Sequence, residues 1–493
     1  MNFKALSGSS SWLAIVGASF FWTWMDRAMF GDSLYFVLAD RKGLDLAQAP
    51  ELAQESFIVM LTASAIVFLA LAVAAKRQTS SIWSVKTTLV AAVAGAISTA
   101  SILLAASANM TALAMAGAFV TGSSMAVLNI SWGRICIAQG PAKAMTHIAG
   151  AWALGLAINI LTEGLVPIAE GTFIIVLPLV SFALYAIDAK LQHTDPYRID
   201  QAEQTPEQTM TAKAHVLGVD VRFPAFILVF CIAFGLMCSF EIFSPAATER
   251  QTIIDIVGLR GIVSLLFFIA SLTAPARRME SLFNACLSFM VFGLLVMTVG
   301  LYTNDVQGLT RIFIPIGYAG FDILVWTLVA FYAKTTATSP LRILAVAMGA
   351  EQAGILAGQL IGIALGGSAN ATNSIMMMAL SYLLLIAVMG LARLCTVLWR
   401  RQRDDVEAST ADSSLDACDK QEDHLDRFAD AYELTARERD VFALFAEGRS
   451  APYIAEMLVL SENTVKTHLR HIYTKCNLHN RQELLDAIEA FKR

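Results

Sequence analysis

The sequence predicts an all-α protein in two parts: a twelve-helix polytopic membrane domain, arranged six plus six, followed by a small four-helix domain. Three observations carry this. Over 493 residues the hydrophobic share is 56% and the charged share only 15%, against about 25% charged residues in a soluble domain. Apolar runs of the length a bilayer requires, about 20 residues each, follow one another from residue 12 to residue 399. Beyond residue 400 that pattern stops, and apolar residues recur at helical spacing between polar faces.

The spans are placed at 12–36, 56–75, 87–108, 111–135, 144–163 and 167–187, then at 224–244, 253–274, 281–302, 309–333, 341–366 and 373–399. A polar loop, 188–223, separates the halves 12–187 and 224–399. The first run contains Asp26 and Arg27 and lacks a small-residue cleavage site, so it reads as a span and not as a signal peptide. With a cytoplasmic N-terminus, the inside loops hold most of the basic residues, among them Lys76, Arg77, Lys143, Lys190, Arg277, Arg278, Lys334 and Arg342. That bias orients the domain in the cytoplasmic (inner) membrane of a bacterium, and twelve spans return the C-terminus to the cytoplasm.

Six spans, a polar cytoplasmic loop and six spans resemble the major facilitator superfamily. The halves also echo each other: Gly150-Ala151-Trp152-Ala153-Leu154-Gly155 in span five has a counterpart in Gly349-Ala350-Glu351-Gln352-Ala353-Gly354 in span eleven. Internal duplication is what that fold implies. The Gly/Asp/Arg-rich loop of the superfamily between spans two and three is replaced here by AAKRQTSSIWSVK, which weighs against transport.

Charges at membrane depth cost about 2.5–3.5 kcal/mol each on insertion scales and demand a partner or a cavity. Asp26, Arg27, Glu241, Asp322 and Glu351 are therefore candidate ligand-site residues, whereas Arg134 and Arg393, near span ends, are expected to snorkel. By the resemblance, spans one, four, seven and ten line a central cavity and five and eleven border it. Asn129, Trp132, Trp152 and Trp326 join the candidates on that basis. Carboxylates with aromatics suit a small amphipathic or cationic ligand.

Residues 401–430, with four basic and ten acidic residues, read as an extended linker, whose last part, from His424 onward, could extend the first helix of the domain that follows. The last part, 431–493, is a capped helical bundle. Thr435 and Glu438 form a capping box, after which Val441, Leu444 and Phe445 share one face. Gly448 suits a helix C-cap. Ser450 opens a second helix and Ser461 caps a third, whose Val465, Leu469, Ile472, Tyr473 and Cys476 point inward. Asn480 and Glu483 start a fourth. A tight turn between the second and third helices is the layout of a helix-turn-helix reader.

The runs LTARERDVFALFAEGRS, IAEML, LSENTVKTHLRHIYTK and HNR resemble the LuxR-type (GerE) helix-turn-helix of bacterial transcription regulators. The resemblance implies double-stranded operator DNA as partner, with the third helix as recognition helix. Its outward residues Asn463, Thr464, Lys466, Thr467, Arg470 and Thr474 are the candidate DNA contacts. It also implies a homodimer on DNA through the last helix, where Leu484, Ile488 and Phe491 form an apolar stripe, and admits RNA polymerase as a further partner. The domain has nine basic and nine acidic residues; its basic charge is local, in Lys466, Arg470 and Lys475 on the third helix.

No catalytic motif stands out, and no enzyme activity, cofactor or metal is expected. The seven cysteines show neither paired spacing nor CxxC. The expected function is a membrane-bound one-component transcription regulator that senses a small molecule. The alternative is a secondary transporter of the major facilitator type carrying a regulatory DNA-binding domain.

Overall fold

A computed structural model describes residues 9–30, 49–75, 84–108, 110–163, 167–191, 215–216, 219–239, 249–273, 276–300, 307–336, 338–365, 382–383, 386, 389–390, 425, 427–446, 450–478, 480, 482–484 and 487. The chain divides into two compact units, 1–394 and 395–493.

In the first unit eleven helices follow in order: α1 Ser9–Met29, α2 Ala49–Ala74, α3 Val85–Ala108, α4 Thr111–Ala138, α5 Pro141–Glu163, α6 Pro167–Leu191, α7 Arg222–Met237, α8 Glu249–Thr273, α9 Ala276–Gly300, α10 Gln307–Thr335 and α11 Pro340–Ala364. They correspond to the first eleven expected spans. Of the twelfth, only isolated residues between 382 and 390 are described. α1 ends at Met29, short of the expected 36. Just before α7, strands β1 (His215–Val216) and β2 (Val219–Asp220) pair antiparallel inside the expected loop. Among the described residues, seven helices are long and apolar enough to cross a membrane. Leu69, Val90, Leu104 and Leu161 are more than 60% exposed, as lipid-facing positions should be. This is a multi-pass membrane protein.

The repeat read from the sequence has a packing basis. A Cβ on Gly150 would lie 2.9 Å from Phe268 of α8, and one on Gly349 would lie 3.3 Å from Phe68 of α2. A Cβ on Gly155 would approach Thr23 of α1, and one on Gly354 would lie 2.3 Å from the Leu228 carbonyl oxygen of α7. Helices α2 and α8 hold the same place in their respective halves, as do α1 and α7. The two motifs therefore do the same job twice: the first glycine admits a helix of the opposite half, the second a helix of its own half.

The tightest seam runs between α7 and α11. Added Cβ atoms on Gly235, Gly354 and Gly358 would each fall 2.1–2.3 Å from a backbone carbonyl oxygen of the facing helix. Backbones this close gain dispersion contact that lipid cannot supply.

The second unit has its own core. Helices α12 (Ala436–Ala446), α13 (Ala451–Met457) and α14 (Glu462–Cys476) enclose Val441, Phe442, Phe445, Ile454, Ala455, Val465, Leu469, Ile472 and Cys476. Phe442 takes the innermost place expected of Leu444, which packs partly buried at the margin. The core also reaches back before residue 431: Phe428 and Ala429 are buried in it, and Phe428 stacks on Phe442 at 5.1 Å. The expected boundary at 431 thus cuts through a packed helical turn. Gly448 and most of the expected linker, 401–424, lie outside the described residues.

Gly358→Val should lower the thermal unfolding midpoint of the detergent-purified protein, because overpacking against backbone has no side chain to yield and costs about 1–3 kcal/mol or more. Gly171→Ala, whose Cβ would meet only Leu103 at 3.6 Å, should leave the midpoint unchanged.

Candidate functional site

The first unit holds a central cavity lined from α1, α2, α4, α5, α7, α8, α10 and α11. Its polar wall is Asn129, Arg260, Asp322, Glu351 and Gln352; its aromatic wall includes Trp22, Trp152, Tyr318 and Trp326. Measured to the centres of water-sized molecules the space is only ≈ 30 Å³, room for about two waters.

Arg260 of α8 is the centre of the site, 6% exposed. Its Nη1 donates to Asp26 Oδ1 at 3.2 Å and its Nη2 to Asp322 Oδ2 at 3.0 Å. The guanidinium carbon sits 3.3 Å from the Trp152 ring centroid and 5.5 Å from that of Tyr318. Trp22 stacks on Trp152 at 5.1 Å and meets Trp326 edge-on at 6.1 Å. Tyr318 donates its hydroxyl to Glu351 Oε1 at 2.6 Å. Asp26, Trp22 and Trp152 belong to one half, Arg260, Asp322 and Trp326 to the other, so the Asp26–Arg260 ion pair, the Arg260–Trp152 stack and the Trp22–Trp326 edge contact join the halves.

The candidates read from the sequence divide. Asn129, Trp152, Asp322, Trp326 and Glu351 line the cavity. Asp26 reaches it through Arg260. Arg27 turns away and donates to the Asn159 side chain at 2.7 Å and to the Asn159 carbonyl at 3.0 Å. Trp132 is a correction: three residues along from Asn129, it faces elsewhere. Its indole N–H donates to Ser181 Oγ at 2.9 Å, and its ring fills the space that Gly17 leaves beside α1. Arg134 is buried at 7% exposure. Glu241 lies outside the described residues. Arg260 itself is the residue missed; its signal was a lone arginine inside the run 253–274.

In the second unit α14 is capped as expected, with Ser461 Oγ accepting from the Thr464 N–H at 3.1 Å. Val459, in the turn before it, has φ 54° and is 90% exposed; a β-branched residue there is strained. The Thr435 N–H donates to Glu438 Oε2 at 2.8 Å, and Lys475 Nζ donates to the same oxygen at 2.7 Å and to the Glu433 carbonyl. Burial alone would raise the Glu438 pKa, but these donors outweigh it and hold the carboxyl at about 2.

Residues 432–488 match the family model of bacterial regulatory proteins, luxR family. The chain carries a LuxR-type helix-turn-helix domain at its C-terminus. The monoamine regulon transcriptional regulator of Klebsiella aerogenes is 38% identical over 85 residues, 17% of this chain and 35% of that protein. The nitrate/nitrite response regulator NarL of Escherichia coli K12 is 43% identical over 54 residues, 11% of this chain and 25% of that protein. The chain thus spans about a third and a quarter of these relatives. Among solved structures, the human organic anion transporter MFSD10 superposes with a TM-score of 0.53 at 13% identity, over 78% of this chain and 98% of its own. The proton:xylose symporter XylE gives 0.53 at 10% identity, over 77% and 94%. The membrane unit has the major facilitator fold.

Within the LuxR-type domain, Asn463, Lys466, Thr467, Arg470 and Thr474 are exposed on α14. Thr464 is half-buried, and its hydroxyl lies 2.7 Å from Ser461 Oγ, so it serves the cap. Lys475 is likewise engaged by Glu438 and leaves the cationic face to Lys466 and Arg470. Leu484 is a correction: it is fully buried in the domain core and has no side-chain surface to offer a second copy. Ile488 and Phe491 lie outside the described residues.

Arg260→Met should strongly lower the thermal stability of the purified protein, since two buried carboxylates lose their cation, a change worth about 3–5 kcal/mol. Adding Asp26→Asn and Asp322→Asn to it should restore most of the midpoint, because the two carboxylates that Arg260 held are then neutral. In the LuxR-type domain, Glu438 has a folded pKa below its ordinary value of 4.5. Its contribution is therefore fully present above about 4.5 and lost as pH falls toward about 2. Urea titrations of the 395–493 fragment across that window should show the loss, and Glu438→Gln should flatten it.

Proposed function

We propose that this protein is a membrane-bound one-component transcription regulator. Its major facilitator unit senses a small molecule, and its LuxR-type domain binds operator DNA sequence-specifically. The observation that carries the reading is an exposed polar and cationic face on a capped α14 of a LuxR-type domain, in one chain with a membrane unit whose central cavity is crossed by an ion pair between its halves. On this reading the basic loops orient the unit in the bacterial inner membrane with both termini cytoplasmic, where DNA is accessible.

α14 presents Lys466 and Arg470 one helical turn apart. Lys466 pairs with Glu462 at 2.8 Å, both well exposed. Such a surface pair is worth about 0–1 kcal/mol, so it yields readily to a phosphate or a base edge. Two copies bound side by side would contact half-sites about 34 Å apart. A ligand changes transcription only by binding one conformation of the membrane unit better than another. The Asp26–Arg260 pair is the natural element for that choice, because it crosses between the halves.

Lys466→Ala and Arg470→Ala in the 395–493 fragment should each weaken operator binding by about 1–3 kcal/mol in a mobility shift, with helix content unchanged. In cells, the full chain with Arg470→Ala should lose control of its target genes. Deleting residues 1–394 should keep DNA binding and abolish any response to the inducing compound. A response that survives the deletion would remove the sensing role from the membrane unit.

A further inference from the structure

The chemistry of the cavity points to one class of ligand. Four charged side chains meet at it: Arg260, Asp26 through Arg260, Asp322, and Glu351. One cation against three carboxylates leaves a formal surplus of two negative charges. Counting Arg27, which neighbours Asp26 in the chain but bonds away toward Asn159, the surplus is still one. Two polar acceptors at the cavity are free to receive N–H donors. Asn129 Oδ1 and Gln352 Oε1 are buried acceptors without a donor, and both residues line the cavity. Two cavity-lining donors, Arg260 Nε and Trp152 Nε1, are buried without an acceptor as well. The remaining wall is aromatic, and Trp152 already holds a cation against its face in the form of Arg260.

Resting on the sensing reading above, we infer that the cavity takes a small organic cation: an amine bearing N–H donors beside an apolar or aromatic body. Its ammonium group would be received by the Glu351 carboxylate and the carbonyl oxygens of Asn129 and Gln352, its body by Trp22 and Trp326. An anion would meet Arg260 only by facing the carboxylates around it, and a neutral molecule would offer those carboxylates no cation beyond Arg260. The present cavity, ≈ 30 Å³, is too small for such a body. Binding must therefore separate the walls, which is the conformational difference that a sensor requires.

The test uses the full-length protein in detergent and three probes on one ring: benzylamine, benzyl alcohol and benzoate. Trp22, Trp152 and Trp326 lie in the wall, so tryptophan fluorescence reads binding, and the unfolding midpoint reads it independently. Benzylamine should give a saturable change and raise the midpoint, and benzoate should do neither. Glu351→Gln should weaken benzylamine at least tenfold. Should that variant fail to fold, Gln352→Leu, which removes an acceptor already lacking a partner, should fold and weaken it severalfold. No saturable response to benzylamine, an equal or stronger response to benzoate, or unchanged benzylamine affinity in the folded variants would overturn the assignment. A reporter assay separates this result from the sensing reading. Cation binding without any transcriptional response would leave the ligand class standing and remove sensing. Regulation by a compound that is not a cation would do the reverse.

Discussion

A guanidinium that is 6% exposed within a bundle of membrane helices costs several kcal/mol unless its neighbours supply compensating charge. Much of the architecture around Arg260 follows from that requirement. Asp26 must come from α1 and Asp322 from α10, which fixes two helices against α8 and joins the halves. The flat face of the cation is covered by Trp152, and Trp152 in turn by Trp22. Trp22 then meets Trp326, whose ring is accommodated because Gly133 has no side chain. Removing the charge would leave this chain of contacts without its organising centre, though each ring would still be apolar and buried.

The LuxR-type domain solves a smaller version of the same problem. Glu438 is a buried carboxylate, and it is satisfied by the Thr435 N–H and by Lys475 from α14. This ties α12 to α14 with a charge-assisted bond. It also sorts the cations of α14 by function: Lys475 faces inward to the carboxylate, and Lys466 and Arg470 remain outside. On the proposed reading, the face offered to DNA is thus shaped as much by what Glu438 withdraws as by what the helix exposes.

The described spans, the caps and the third helix of the second unit were legible because each is a local signal: an apolar run, a Ser461 before Thr464, a helical period through Val465, Leu469 and Ile472. The glycine repeats were legible because duplication writes them twice. The Arg260 bridge was not, since its partners lie 234 and 62 residues away and a lone arginine in IVGLRGIVSLL does not break the hydropathy of a span. Leu484 was misassigned for a different reason. An apolar stripe on a terminal helix reads the same whether it faces its own core or a second copy, and only packing tells them apart. Trp132 failed on rotation: Asn129 and Trp132 share a span, but three residues on a helix bonded at both faces suffice to point into different neighbours. Phe428 falls in the part from His424 onward that the sequence allows to join the domain, although the acidic composition of 401–430 places the boundary at 431.

The size of the cavity and the strength of the bridge bear on each other. A wild-type membrane unit that is closed and internally paired has no reason to open on its own, because separating Arg260 from a carboxylate exposes charge to an apolar surround. A ligand that only fills space gains too little to reverse that. Shifting a two-state equilibrium from 1:99 to 99:1 takes about 5.5 kcal/mol of differential affinity, comparable to the cost of breaking a buried ion pair. On the proposed reading, a molecule that brings its own positive charge to the carboxylates can supply that difference, since it replaces the lost pairing as the halves separate. The bridge that closes the cavity would then also set the threshold at which a ligand opens it.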